Sequence, residues 1–258
     1  MLAIKGFSLF GLEITFYGLL MAVAFVCAFF IVRYFFKKSG EFNKDITFDL
    51  LLIIFPSAII GARLYYIIFS GRSWTFLEAV SFWDGGLAVY GGIIGGLIAV
   101  IIYALIKKIN ILKLTDAIAP ALILGQAIGR IGCYFSGCCY GIEVTNEALM
   151  WFPFSTNING VWHLSTYFYE SFWNILGFIL MFIVYNKVKR VGLTTGIYLS
   201  FYGLGRFFIE GLRGDSLYLG TLKVSQILSI ILFAVGIFLI VYSLVLNKGQ
   251  KREQKQIT

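Results

Sequence analysis

Residues 118–141 read IAPALILGQAIGRIGCYFSGCCYG: a run from Ile118 to Gly129 that could be dissolved in oil, then Arg130, then Cys133, Cys138 and Cys139. An apolar run of this kind, punctuated by glycine and without strand alternation, satisfies its backbone in lipid only as a helix. The rest of the chain agrees. It is 59% hydrophobic and 18% aromatic with 13% charged residues, and its mean hydropathy is +0.87. That is the composition of an integral membrane protein.

Working outward from residue 118, apolar stretches long enough to span fall at about 14–36, 48–69, 86–106, 115–135, 165–186, 193–212 and 223–246. The reading is all-α and polytopic, with about seven transmembrane helices. The first stretch is too long for a signal-peptide core and lacks a small-x-small cleavage site, so it is expected to stay as a helix. No hydrophilic interval is long enough for a separate domain. Residues 1–247 are therefore expected to form one transmembrane domain, and 248–258 a basic tail.

Cytoplasmic loops retain Lys and Arg. Arg33, Lys37, Lys38 and Lys44 close span 1. Lys107, Lys108 and Lys113 follow span 3; Lys187, Lys189 and Arg190 follow span 5; Lys248, Lys251, Arg252 and Lys255 form the tail. Only Lys5, Arg72, Arg213 and Lys223 fall on the other side. The amino terminus is expected outside and the carboxyl terminus in the cytoplasm. Topology and anionic inner-leaflet lipid then explain the net charge of +8, and no nucleic-acid partner is needed.

Three of the 21 basic residues are left over: Arg63 in IIGARLYYII, Arg130, and Arg206 in FYGLGRFFIEGL. Each lies inside an apolar span, where a charge costs several kcal/mol by insertion scales and faces a bundle interior or a wet cavity. Two intramembrane acids, Glu170 and Glu210, are available; Glu210 and Tyr202 lie four residues either side of Arg206, on its helix face. The plain reading is salt bridges that join helices. The alternative is a single outward-facing cavity where all three arginines converge, with more positive charge than two carboxylates neutralise. Such a cavity fits an anion, and the forked guanidinium fits phosphate, here most economically a phospholipid headgroup. The glycines of DGGLAVYGGIIGG (84–96) fit close helix packing, and also leave room for a lipid beside Tyr90.

Taken in order, FYGLLMAVAF (16–25), GARLYYIIF (61–69), GGLAVYGGIIGG (85–96), GRIGCYFSGCCYG (129–141), YFYESFWNIL (167–176), FYGLGRFFIEGLRGD (201–215) and GTLKVSQILSI (220–230) resemble the prolipoprotein diacylglyceryl transferases along almost the whole chain. The resemblance implies seven helices with an outward amino terminus in a bacterial plasma or inner membrane. It implies transfer of the diacylglyceryl group of phosphatidylglycerol to the lipobox cysteine thiol of a preprolipoprotein signal peptide, releasing glycerol phosphate. By that resemblance Arg130 is the phosphatidylglycerol-binding arginine and Arg206 with Glu210 an Arg/Glu pair, so that the arginines bind the headgroup and stabilise the leaving group while Glu210 orients Arg206 or serves as base. Arg63, Tyr17, Tyr202, Glu170 and Gln226 complete the phosphatidylglycerol-binding set.

Two departures from the family pattern stand out. The histidine usual before the Gly-Gly of span 3 is Tyr90, and a phenol with an ordinary pKa near 10 is a poor base at neutrality, so the proton acceptor stays open. The signature asparagine after Gly132 is Cys133, with Cys138 and Cys139 following. The spacing C-x₄-C-C is not a usual zinc arrangement, no second cysteine pair exists, and Cys27 belongs to the cytoplasmic half of span 1. No metal and no cofactor are expected. An outward location permits a disulfide from Cys133 to Cys138 or Cys139, although packing as small apolar thiols is commoner. The single histidine, His163, reads as a loop or packing residue. Two other functions compete: a paralogue using the same lipid cavity for another acceptor, and a non-enzymatic anion- or lipid-binding membrane protein. The absence of an internal repeat weighs against a transporter of the inverted-repeat kind.

Overall fold

The computed structural model of the chain describes residues 6–9, 12–42, 45–82, 85–214, 218–219 and 222–257, with residues 9, 12, 13, 218, 219, 222 and 246–257 described as backbone only. Of the cations counted for topology, Lys5 and Lys44 lie outside the described residues, as do the side chains of Lys248, Lys251, Arg252 and Lys255.

Each expected span coincides with a helix: α1 (Phe16–Ser39), α2 (Ile46–Phe69), then after the short α3 (Phe76–Val80), α4 (Val89–Ile106), α5 (Ile111–Ser136), α6 (Thr166–Lys187), α7 (Leu193–Gly211) and α8 (Val224–Ile257). Six of these, among the described residues, are long and apolar enough to cross a membrane; α7 is not among the six. The 19 residues of α7 include Arg206 and Glu210, which lower its hydropathy and mark it as the helix that carries polar work. Among the described residues are three two-stranded antiparallel hairpins: β1 (Gly6–Leu9) with β2 (Leu12–Thr15) ahead of α1, β3 (Ser155–Ile158) with β4 (Val161–Leu164) between α5 and α6, and β5 (Tyr218–Leu219) with β6 (Leu222–Lys223) between α7 and α8. Large apolar side chains such as Leu52, Ile68, Ile106 and Phe238 are exposed along the helices, as expected of surfaces that meet lipid.

The chain divides into two compact units, residues 33–114 and residues 1–32 with 115–258. Within the first, α2 and α4 meet at glycines. A Cβ on Gly61 would collide with the Gly91 carbonyl oxygen, one on Gly91 with that of Gly61, and one on Gly95 with that of Ser57. The glycine run of span 3 is thus a close-packing surface of the small-xxx-small kind. At the end rich in lysine, Tyr103 donates to Asp49 (2.9 Å) and Lys113 pairs with Glu41 (2.6 Å).

In the larger unit, α7 and α8 approach as closely: a Cβ on Gly203 would come within 2.7 Å of the Ser229 carbonyl oxygen. A core of Ala119, Ile123 and Met181 packs with Phe178, Ile197, Tyr198 and Phe201 to join α5, α6 and α7. Polar ties fix their register. The buried Asp116 of α5 accepts from the Gly192 and Thr195 amides at the start of α7 (2.6 and 2.7 Å), a carboxylate at a helix amino terminus. Gln126 donates to the Tyr198 hydroxyl (2.9 Å), Ser171 to the Ala127 carbonyl (2.9 Å), and Trp173 to the Phe201 carbonyl (2.9 Å).

Candidate functional site

The register set by those ties brings three charged side chains from three helices to one point. Glu170, buried on the first turns of α6, offers one oxygen to each of two arginines: Oε1 lies 2.8 Å from Arg130 Nη2 of α5, and Oε2 accepts from Arg206 Nη1 of α7 at 2.9 Å. Arg206 turns its other nitrogen, Nη2, to Glu210 at 2.8 Å, one helical turn on. The sequence spacing identified that last pair. It did not identify Glu170 as the link, and Arg130, which has no acid nearby in sequence, is paired across helices rather than left alone.

Two arginines and two glutamates leave this cluster of the larger unit formally neutral. Positive charge nearby comes instead from two residues read as plain loop cations. Lys223 is buried, and its ammonium donates to the carbonyl of Glu210 at 2.7 Å, a cation against the carboxyl end of α7. Arg213 follows α7 and acts electrostatically on Cys139. The signal that could have found Lys223 was its position directly before span 7, but nothing in the sequence says that it folds back onto α7.

Tyr17 of α1 lies over Gly132, where a Cβ would come within 2.8 Å of its ring, and it is an electrostatic neighbour of Arg130 and the cysteines. Tyr202 acts on Arg130 as well and stacks on Tyr198. Gln226 is used by backbone at both ends: it accepts from the Lys223 amide (3.2 Å) and donates to the Phe207 carbonyl (3.3 Å), joining α8 to α7. His163 packs against Tyr140 and lies 3.2 Å from the Gly141 carbonyl oxygen, a local packing role.

Arg63 and Tyr90 belong to the other unit. Within its own unit Arg63 has a bonding task of its own. Its Nε donates to the Ala79 carbonyl (3.0 Å), its Nη1 to those of Gly85 and Gly86 (2.6 and 3.1 Å), and its Nη2 to that of Glu78, while Trp74 and Tyr66 cover the guanidinium. It clamps α3, at Glu78 and Ala79, and the Gly85 and Gly86 carbonyls to α2. The start of α3 is braced by a capping box in which the Thr75 amide and hydroxyl donate to the Glu78 carboxylate and hold it below the usual carboxylate range. Tyr90 sits in the first turn of α4, about half exposed, with its ring 6.4 Å from that of Tyr65.

The carboxyl end of α5 runs into the cysteines. Gly137 and Cys139 both take the left-handed conformation (φ 62° each), which costs the non-glycine residue about 1–2 kcal/mol and turns the chain back on itself. Hydrogen bonds fix the turn: the Thr166 hydroxyl donates to the Cys139 carbonyl (2.8 Å), the Gly141 amide to the Leu164 carbonyl (2.8 Å), and the Ile142 amide to the Leu212 carbonyl (3.0 Å). All three thiols are free, and their sulfurs lie within 4.8 Å of one another. The Cys139 thiol is held below the ordinary thiol range by its contact with the Cys133 thiol, with Arg130 and Arg213 adding to the effect.

Residues 5–242 match the family model described as prolipoprotein diacylglyceryl transferase. Among curated relatives, the chain is 39% identical over 255 residues to phosphatidylglycerol–prolipoprotein diacylglyceryl transferase 1 of Clostridium perfringens, covering 96% of each chain. It is 39% identical to the enzyme of that name from Clostridium novyi, covering 94% of this chain and 96% of the relative. For the Listeria welshimeri enzyme the figures are 40%, 90% and 86%.

Proposed function

The chain belongs to the prolipoprotein diacylglyceryl transferase family, and from that premise we infer how its own residues carry out the reaction. The activity is transfer of the diacylglyceryl group of phosphatidylglycerol to a prolipoprotein. We propose that the acceptor is the lipobox cysteine thiol, that the protein resides in the bacterial plasma or inner membrane, and that its amino terminus faces outward with a basic cytoplasmic tail after residue 247.

The observation that carries the mechanism is the sharing of Glu170 between Arg130 and Arg206. One carboxylate holds two guanidinium forks side by side while leaving other N–H groups of each for a second anion. The phosphodiester of phosphatidylglycerol is that anion. As the thiolate attacks the glyceryl carbon, the C–O bond to phosphate breaks and charge collects on the departing glycerol phosphate. Two preset guanidinium groups in a water-poor site stabilise that charge without reorganising. Glu210 orients Arg206, and the Lys223 ammonium steadies the end of α7 that presents Glu210. Tyr17 and Tyr202, beside Arg130, are assigned to hold the headgroup by hydrogen bonding. Gln226 contributes by positioning α8 against α7. Tyr90 is assigned an orienting role, since the phenol is a weak base.

The test is complementation of a bacterium depleted of its own diacylglyceryl transferase. The intact chain restores growth and lipidated prolipoprotein, whereas Arg130→Ala at equal membrane levels restores neither. Failure of the intact chain with every lipobox substrate points to a different acceptor for the same lipid cavity.

A further inference from the structure

Alkylation of a thiol requires a thiolate, and a phenol such as that of Tyr90 is a weak base at neutrality. The cluster at the end of α5 offers another way to generate that nucleophile. We propose that Cys133, Cys138 and Cys139 form a three-thiolate site for a divalent d¹⁰ cation of the zinc type, whose fourth position takes the thiol of the acceptor cysteine. The inference rests on the transferase reading above and supplies its missing proton step.

Three sulfurs bound to zinc at about 2.3 Å stand about 3.8 Å apart. The observed sulfurs lie within 4.8 Å of one another, so small side-chain rotations complete the site. The spacing C-x₄-C-C looks unsuitable when compared with zinc motifs on regular elements. It becomes suitable because the chain reverses at Gly137 and Cys139, where positive φ brings the last two thiols back beside Cys133. The turn is fixed from outside by Thr166, Leu164 and Leu212, so the three donors are preset rather than gathered by the ion. Sulfur-only donors suit a soft or borderline cation and exclude magnesium or calcium.

Three protein ligands with an open fourth position is the arrangement of a catalytic rather than a structural zinc. Cys133 is buried and Cys138 exposed, which leaves one side of the cluster open to an acceptor thiol. The acceptor R–SH binds as R–S⁻ and its proton passes to water, because a coordinating thiol is deprotonated outright. The bound sulfur then attacks the glyceryl carbon: an S–C bond forms, the C–O bond breaks, and its electron pair leaves on glycerol phosphate. The thioether product is a weak ligand and departs. With four thiolates the site carries two negative charges, which face the cationic side chains of Arg213 and of Arg130, the latter shared with Glu170. Arg130 therefore faces nucleophile and leaving group together.

The test uses the full chain in lipid nanodiscs, titrated with Zn²⁺ and Co²⁺ alone. Expected are one ion per chain, a thiolate-to-cobalt charge-transfer band with tetrahedral d–d absorption, and a change in that spectrum on adding a lipobox peptide but not its Cys→Ser version. Cys27→Ser keeps the spectrum; Cys139→Ser loses it and lowers transfer at least about 10²-fold, as does chelation, which added Zn²⁺ reverses. Binding of phosphatidylglycerol to Cys139→Ser is retained. Full transfer by metal-free, chelator-treated protein, or a Cys133 disulfide in active protein purified without reductant, overturns the metal site and leaves the transferase reading intact. A bound metal with no transfer to any lipobox peptide overturns the transferase reading itself.

Discussion

Arg63 and the pair Arg130 and Arg206 are all guanidinium groups inside apolar helices, yet the two regions satisfy them by opposite means. Arg63 meets four backbone carbonyls and two aromatic faces. Fixed dipoles of that kind take up its N–H donors and tie a loop to a helix. Arg130 and Arg206 meet carboxylates, which neutralise charge but engage only part of each fork, and their side chains keep 20% and 15% exposure. An arginine saturated by carbonyls is a structural clamp; an arginine held by a shared carboxylate has donors left for a ligand.

The strongest way to break this comparison is Glu170→Ala. Removing one member of a buried ion pair costs about 3–5 kcal/mol, and here it leaves two guanidinium groups facing each other. Loss of thermal stability together with loss of transfer is expected, and Glu170→Gln should recover stability better than activity. A stable, active Glu170→Ala protein would dissolve the link between the two arginines.

A double-mutant cycle on Arg206 and Glu210 sharpens it. The two single changes and the double change, read as transfer activity, should show a coupling energy within about 0.5–3 kcal/mol, because Glu210 acts through Arg206. Additive losses would remove the orienting role.

Arg63→Lys probes the other region. An ammonium cannot bond four carbonyls spread around a planar fork, so a lower melting temperature is expected, with transfer per folded molecule reduced far less than by changes at Arg206. A loss confined to activity at unchanged stability would return Arg63 to the headgroup site.

The smallest effect belongs to Tyr90→Phe. Loss of one orienting hydrogen bond costs about 0.5–1.5 kcal/mol, roughly tenfold at most. Measured from pH 6 to 9, the profile should keep its shape; a drop of about 10²–10⁴-fold would identify Tyr90 as the base.

The helices, the bracing glycines and the Arg206–Glu210 pair were legible in the sequence because each follows from spacing along one element. What was not legible depends on where separate elements meet. Glu170 could be seen as an intramembrane acid but not as the partner of two arginines on two other helices. Lys223 read as a loop cation because only the fold turns it back onto the carboxyl end of α7. The cysteines read as a poor metal motif because local spacing does not record the left-handed turn at Gly137 and Cys139.

The central claim is that Arg130, held by Glu170, binds the phosphate of phosphatidylglycerol through its fork. The direct measurement is transfer from labelled phosphatidylglycerol to a lipobox peptide by Arg130→Lys, at matched amounts of folded protein. Lysine keeps the charge next to Glu170 and loses the two-pronged geometry. A fall of about 10²–10³-fold at near-unchanged melting temperature is predicted; transfer close to that of the unaltered chain would contradict the account.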